Sequence, residues 1–103
     1  MAFKIIWTKQ AIKGYAKIID YLEENWSEKE IINFIKVTDQ FFETLILHPE
    51  ILQRSNNQKN LYRGPINRLT MLTYRIKRVN KQIELVNIRG TRQKPLKSIF
   101  KKQ

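Results

Sequence analysis

Hydrophobic side chains along this chain change their period once. Ahead of Pro49 they return every third or fourth residue, and after Asn60 they return every second. The first spacing marks the buried stripe of a helix and the second the inner face of a strand, and a segment patterned for one does not settle as the other. The chain is therefore held to an α+β arrangement with its helices first and most of its strands last.

In the helical half, Ala11, Tyr15, Ile18, Ile19, Leu22 and Trp26 form one apolar stripe, and Lys9, Lys13, Lys17 and Glu24 are left to solvent. Thr8 is the expected N-cap, and this helix is expected to run to about Asn25. Ser27 followed three residues later by Glu30 is a capping box, so a second helix starts there. Ile31, Phe34, Ile35, Thr38, Phe41, Phe42 and Leu45 supply its stripe, and Pro49 stops it because the residue before a proline avoids the α region. Residues 8–48 thus read as a helical hairpin. Residues 3–7, β-branched and aromatic, read as a strand ahead of it.

Three strand-like runs follow, at 60–66, 70–79 and 82–89, the last two joined by the turn-like pair Asn80 and Lys81. They predict a three-stranded antiparallel meander. Leu72, Tyr74 and Ile76 fall on one face of the middle run, and Thr73, Arg75 and Lys77 on the other. In the third run Ile83 and Leu85 fall opposite to Val86 and Ile88, which requires either a bulge or burial on both faces. Pro65 cannot donate to a ladder and places the first run at an edge or at its own end. The polar stretch 53–60 reads as a mobile loop, and 96–103 as a short helix or a frayed tail.

Charge divides the chain the same way. Residues 1–52 carry six Lys and eight Asp or Glu, a balance of −2; residues 53–103 carry seven Lys, seven Arg and only Glu84, a balance of +13, and together these make +11. Such a surface attracts polyanions or an acidic protein. Its 103 residues are expected to form a single domain, 1–103. With no Cys and one His, there is neither a disulfide framework nor a zinc site, and no cofactor or metal is expected. No apolar run is long enough to span a membrane, and a cytoplasmic chain is the expectation.

The basic half supplies the candidate site. Arg63, Arg68, Arg75, Lys77, Arg78, Arg89, Arg92 and Lys94 lie on strands or at their ends, so several can converge on the sheet face that the helices leave open. Arginines so placed grip phosphates or carboxylates in pairs of hydrogen bonds. Proton-transfer groups are few: after residue 50 there are Glu84, Tyr62 and Tyr74, of which Tyr74 fits the core and Glu84 a strand ion pair. Histidine is a common proton-transfer residue, but His48 sits where a residue closes a helix. Gly14, Gly64 and Gly90 are isolated, so there is no phosphate-cradling loop. Tyr15, Trp26, Phe34, Phe41 and Phe42 have helical spacing and read as core.

The order of elements, with Tyr74-Arg75-Ile76 and the run from Ile88 to Lys97, resembles the RelE/ParE family of toxins from bacterial type II toxin–antitoxin systems. Residues 7–11 and 21–27, His48-Pro49 and the run from Arg92 to Pro95 fall in the family's order. The resemblance implies a growth-inhibiting toxin neutralised by a cognate antitoxin through an acidic segment. It also implies one of two targets: DNA gyrase, inhibited as by ParE-like members, or mRNA on the ribosome, cleaved as by RelE-like members. For cleavage it assigns phosphate stabilisation to Arg75 and Arg92, with His48 or Glu84 left as proton-transfer groups. RelE-like enzymes carry a tyrosine beyond the position of Arg92 where this chain has only Phe100, which favours the gyrase mode. Charge alone leaves a further reading, a non-toxic nucleic-acid-binding module whose affinity would fall by about one log unit per log unit of salt for each phosphate neutralised.

Overall fold

The structure is a computed structural model describing residues 3–91. The elements run β1 (Lys4–Trp7), α1 (Lys9–Asn25), α2 (Glu28–Leu47), β2 (Gln53–Arg54), β3 (Leu61–Asn67), β4 (Thr70–Lys77) and β5 (Gln82–Gly90). The strands form one sheet in the order β1-β5-β4-β3-β2, antiparallel except for the β1–β5 pair. The predicted meander is its centre, and two strands extend it.

One of these extensions corrects the loop expected at 53–60. Gln53 and Arg54 pair with Arg63 and Tyr62, because the outer edge of β3 needs backbone partners and an exposed edge tolerates polar side chains. This strand reaches only two residues. Pro65 lies beyond it, on a stretch of β3 with no outer neighbour, as its missing N–H demands.

Both helix starts form as the side chains dictate. Thr8 Oγ1 accepts from Ala11 N–H at 3.1 Å and donates to the Leu85 carbonyl at 2.7 Å, so the cap of α1 also ties it to β5. Ser27 and Glu30 make both bonds of the capping box. Helix α2 ends at Leu47, with His48 as its C-cap. Two residues of the expected stripes are exposed. Trp26 closes α1 in an extended conformation and so leaves the helical period, and Ile35 sits on the flank of the narrow stripe Phe34, Thr38, Leu45.

The β5 pattern resolves as a bulge. Thr73 pairs with Asn87 and Tyr74 with Leu85, so Val86 is the extra residue. Parity then flips, and Ile88 joins Ile83 and Leu85 in the core. These side chains, with Leu22, Leu45, Leu72 and Ile76, are essentially solvent-free, and each stabilises the fold by about 1.5–3 kcal/mol.

Helix α1 lies so close to β5 that a Cβ at Gly14 would stand 1.8 Å from the Ile88 carbonyl oxygen. The hydrogen that replaces that Cβ points along the same direction and makes a C–H···O contact.

Tyr74 is fully buried, stacks on Tyr62 at 5.4 Å and donates its phenol proton to the Pro49 carbonyl at 2.6 Å. Burial pushes its pKa up to about 12, against the smaller opposing effect of the Leu52 N–H. An unfolded tyrosine ionises near 10, so between pH 10 and 12 the unfolded chain has released a proton that the folded chain keeps. Stability is therefore whole below pH 10 and falls through pH 12. Denaturant titrations across that window are expected to show the fall, and Tyr74→Phe is expected to flatten it.

Candidate functional site

The strand period sets the site. Because Tyr62, Leu72, Tyr74, Ile76, Ile83, Leu85 and Ile88 turn toward the helices, their neighbours turn to the opposite, uncovered face. Arg63, Arg75, Lys77 and Arg89 are all on it.

Cross-strand register places them relative to one another. Arg63 stands opposite Thr73, Arg89 opposite Met71, and Arg75 between Leu61 and Glu84. Directly opposed side chains are about 5 Å apart at Cβ, and positions two apart on a strand are about 6.6 Å apart, so these cations form a patch that one extended anionic segment can cross. Arg75 is half-buried, whereas Arg63 and Arg89 are exposed. Lys77 Nζ lies 3.7 Å from Glu84 Oε2. Among the described residues, Arg63, Arg75 and Arg89 have no carboxylate partner within ion-pair distance.

Other candidates fall elsewhere. Arg68 is in the β3–β4 turn, where its carbonyl accepts from Thr91 Oγ1 at 2.9 Å. Arg78 follows β4, and its guanidinium meets Glu50 Oε2 at 2.7 Å. His48 belongs to the helix layer: Pro49 beside it is held by Tyr74, whose side chain points away from Arg75. Arg92 and Lys94, with the tail at 96–103, lie outside the described residues.

The chemistry of the open face follows. Several guanidinium groups can hold negative charge; the one carboxylate on the face, Glu84, is already paired with Lys77, and neither His48 nor Tyr74 reaches that face to move a proton. Among the described residues no group of three His, Asp or Glu side chains is placed to hold a metal, and no helix is long and apolar enough to cross a membrane.

A second feature escaped the periodicity. Trp26, Phe34, Val37, Ile66 and Leu69 line a groove of about 620 Å³ between α2 and the end of β3, rimmed by Glu30, Asn33, Asn67 and Arg68. Trp26 and Val37 are more than a third exposed there. The available signal was position: Trp26 immediately precedes the N-cap Ser27, in the joint between helices, where a side chain need not follow either stripe.

The chain matches the family described as the ParE toxin of the type II toxin–antitoxin system, parDE, over residues 5–95. No curated protein sequence matches it significantly. Among solved structures, it is similar to a chain of the chromosomal ParDE toxin–antitoxin system of P. aeruginosa, with a TM-score of 0.70 and 14% identity over 88% of this chain and 98% of that one. It is also similar to the isolated E. coli RelE toxin, at TM-score 0.61 and 10% identity over 98% and 97% of the two chains. A chain of the Mycobacterium tuberculosis RelBE2 toxin–antitoxin complex aligns at TM-score 0.59 and 11% identity, over 87% and 99%. At these identities the likeness establishes a shared fold.

Proposed function

The chain belongs to the ParE toxin family of type II toxin–antitoxin systems, and on that premise we propose that it arrests growth by binding DNA gyrase and is held inactive by a cognate antitoxin. The observation that carries the gyrase mode is the separation of charge from proton transfer. Arg75 and its neighbours occupy one face, where the one strand carboxylate, Glu84 opposite Arg75, is already engaged by Lys77, while His48 and Tyr74 belong to the other layer. Inhibition by binding needs cations and shape alone; strand cleavage needs a base and an acid within hydrogen-bond reach of the reacting atoms. Purified chain is expected to inhibit supercoiling by purified gyrase at stoichiometric concentration, and unaffected supercoiling would remove the gyrase reading.

The antitoxin engages two regions in this account. Its acidic segment crosses the open face over Arg63, Arg75 and Arg89, with Arg68 and Lys77 at the margins, and Arg92 and Lys94 extend the same charge in sequence. Its apolar anchors fill the groove between the helical hairpin and β3. Tryptophan at a groove wall is the side chain most often responsible for binding energy. Trp26→Ala is therefore expected to weaken antitoxin binding by about 2 kcal/mol, roughly 30-fold in Kd, when measured by calorimetry. An unchanged Kd would place the anchors elsewhere.

A further inference from the structure

At the other end of the molecule three large apolar side chains stand in solvent: Val79 is 96% exposed, Leu47 66% and Ile51 45%. Their segments are stitched together by four contacts. Arg78 Nη2 meets Glu50 Oε2 at 2.7 Å, and Lys4 N–H donates to the Lys81 carbonyl at 2.9 Å. Phe3 N–H donates to the Ile46 carbonyl at 3.1 Å, and Lys81 Nζ stands 5.9 Å from the Phe3 ring centroid. The close of α2, the β4–β5 turn and the start of β1 thus make one surface, with a concavity of about 550 Å³ lined by residues 47–51.

Folding does not call for this arrangement. Val79 buries almost nothing, and it occupies a turn where polar residues or glycine are the usual choice. Nearby carboxylates are already engaged, Glu50 by Arg78 and Glu84 by Lys77, so Lys4 and Lys81 leave the surface with a positive surplus.

We infer that this end is the surface that grips the toxin's target, a protein offering an apolar crevice bordered by carboxylates. The inference rests on the reading that the chain acts by holding a macromolecule. Charge complementarity selects an acidic partner over a basic one. A second copy is disfavoured by the +11 net charge. The surface is also separate from the Trp26 groove. Trp26 and Leu47 stand at opposite ends of α2, about 30 Å apart by helical rise, the nearest groove residue on the helix, Val37, is about 15 Å from Leu47, and the two features lie beside opposite ends of β4.

The test uses the full chain carrying Leu47→Asp and Val79→Asp together, compared with wild type. Induced without antitoxin, the variant is expected to need at least tenfold more protein to arrest growth, while its Kd for antitoxin stays within threefold and its melting temperature is unchanged. If the double variant melts early, Val79→Ser carries the same test, with at least threefold weaker arrest expected. Arrest equal to wild type overturns the inference, as does a parallel loss of antitoxin affinity or a wild-type chain that does not arrest growth. A wild-type dimer in sedimentation, or wild-type binding to phosphatidylserine vesicles, that the substitutions abolish also overturns it. A variant inert in cells beside a wild type that arrests growth yet leaves gyrase supercoiling untouched keeps this surface and removes gyrase as its occupant.

Discussion

Gly14→Ala is expected to cost about 3 kcal/mol of stability, the upper part of the usual range for overpacking. The added methyl group would lie 1.8 Å from the Ile88 carbonyl oxygen, less than any non-bonded contact, and both that carbonyl and the Gly14 segment of α1 are backbone. Neither can rotate away as a side chain would, so α1 has to lift from β5. That lift loosens Ala11, Ile18 and Leu22 from the core and strains the hydrogen bond from Thr8 to Leu85. Alanine returns only about 1 kcal/mol through its better helix propensity. For a domain of this size the net loss corresponds to a fall of roughly 15 °C in melting temperature. Ala16→Gly, on the exposed side of the same helix, isolates propensity and is expected to cost only about 1 kcal/mol. Calorimetric melting of both variants checks the account. A Gly14→Ala chain more stable than wild type would mean that α1 does not approach β5 as described.

Removing the open-face charge has the largest expected effect on recognition. With Arg63, Arg75 and Arg89 replaced by serine, association with the acidic antitoxin segment is expected to slow by about 10- to 100-fold at low salt. Stability is expected to hold or rise slightly, because these arginines have no carboxylate partner among the described residues and repel one another. Rates measured by stopped flow between about 0.05 and 0.5 M salt decide the matter: wild type slows steeply as the charges are screened, and the variant depends on salt only weakly. A variant with wild-type rate and salt slope would locate the steering charge away from this face.

Much of this face was legible beforehand. Period two alone puts Arg75 and Lys77 opposite Leu72, Tyr74 and Ile76, and the same alternation puts Arg63 opposite Tyr62. The helix starts at Thr8 and Ser27 were legible too, since a cap is a local bond between neighbours in sequence. What was not legible depends on contacts distant in sequence. The parallel pairing of β1 with β5 leaves no trace in either strand's own pattern, and the bulge at Val86 was one of two readings until the register with Thr73 and Tyr74 decided it. Arg78 looked like a member of the basic face, but an ion pair with Glu50, 28 residues away, takes it to the end of the molecule. Trp26 and Val79 were hidden for a related reason: each sits at a joint between elements, where hydrophobicity no longer reports burial.

A basic face whose one carboxylate, Glu84, is paired with Lys77 and which neither His48 nor Tyr74 reaches, among the described residues, fits binding rather than cleavage, and cells can test this directly. After induction without antitoxin, mRNA 5′ ends and the DNA-damage response are followed in the same culture. Binding to gyrase predicts a DNA-damage response with 5′ ends unchanged from an uninduced culture. New 5′ ends at defined codon positions, lost with Arg75→Ala and appearing without DNA damage, would contradict it and make the open face a catalytic one.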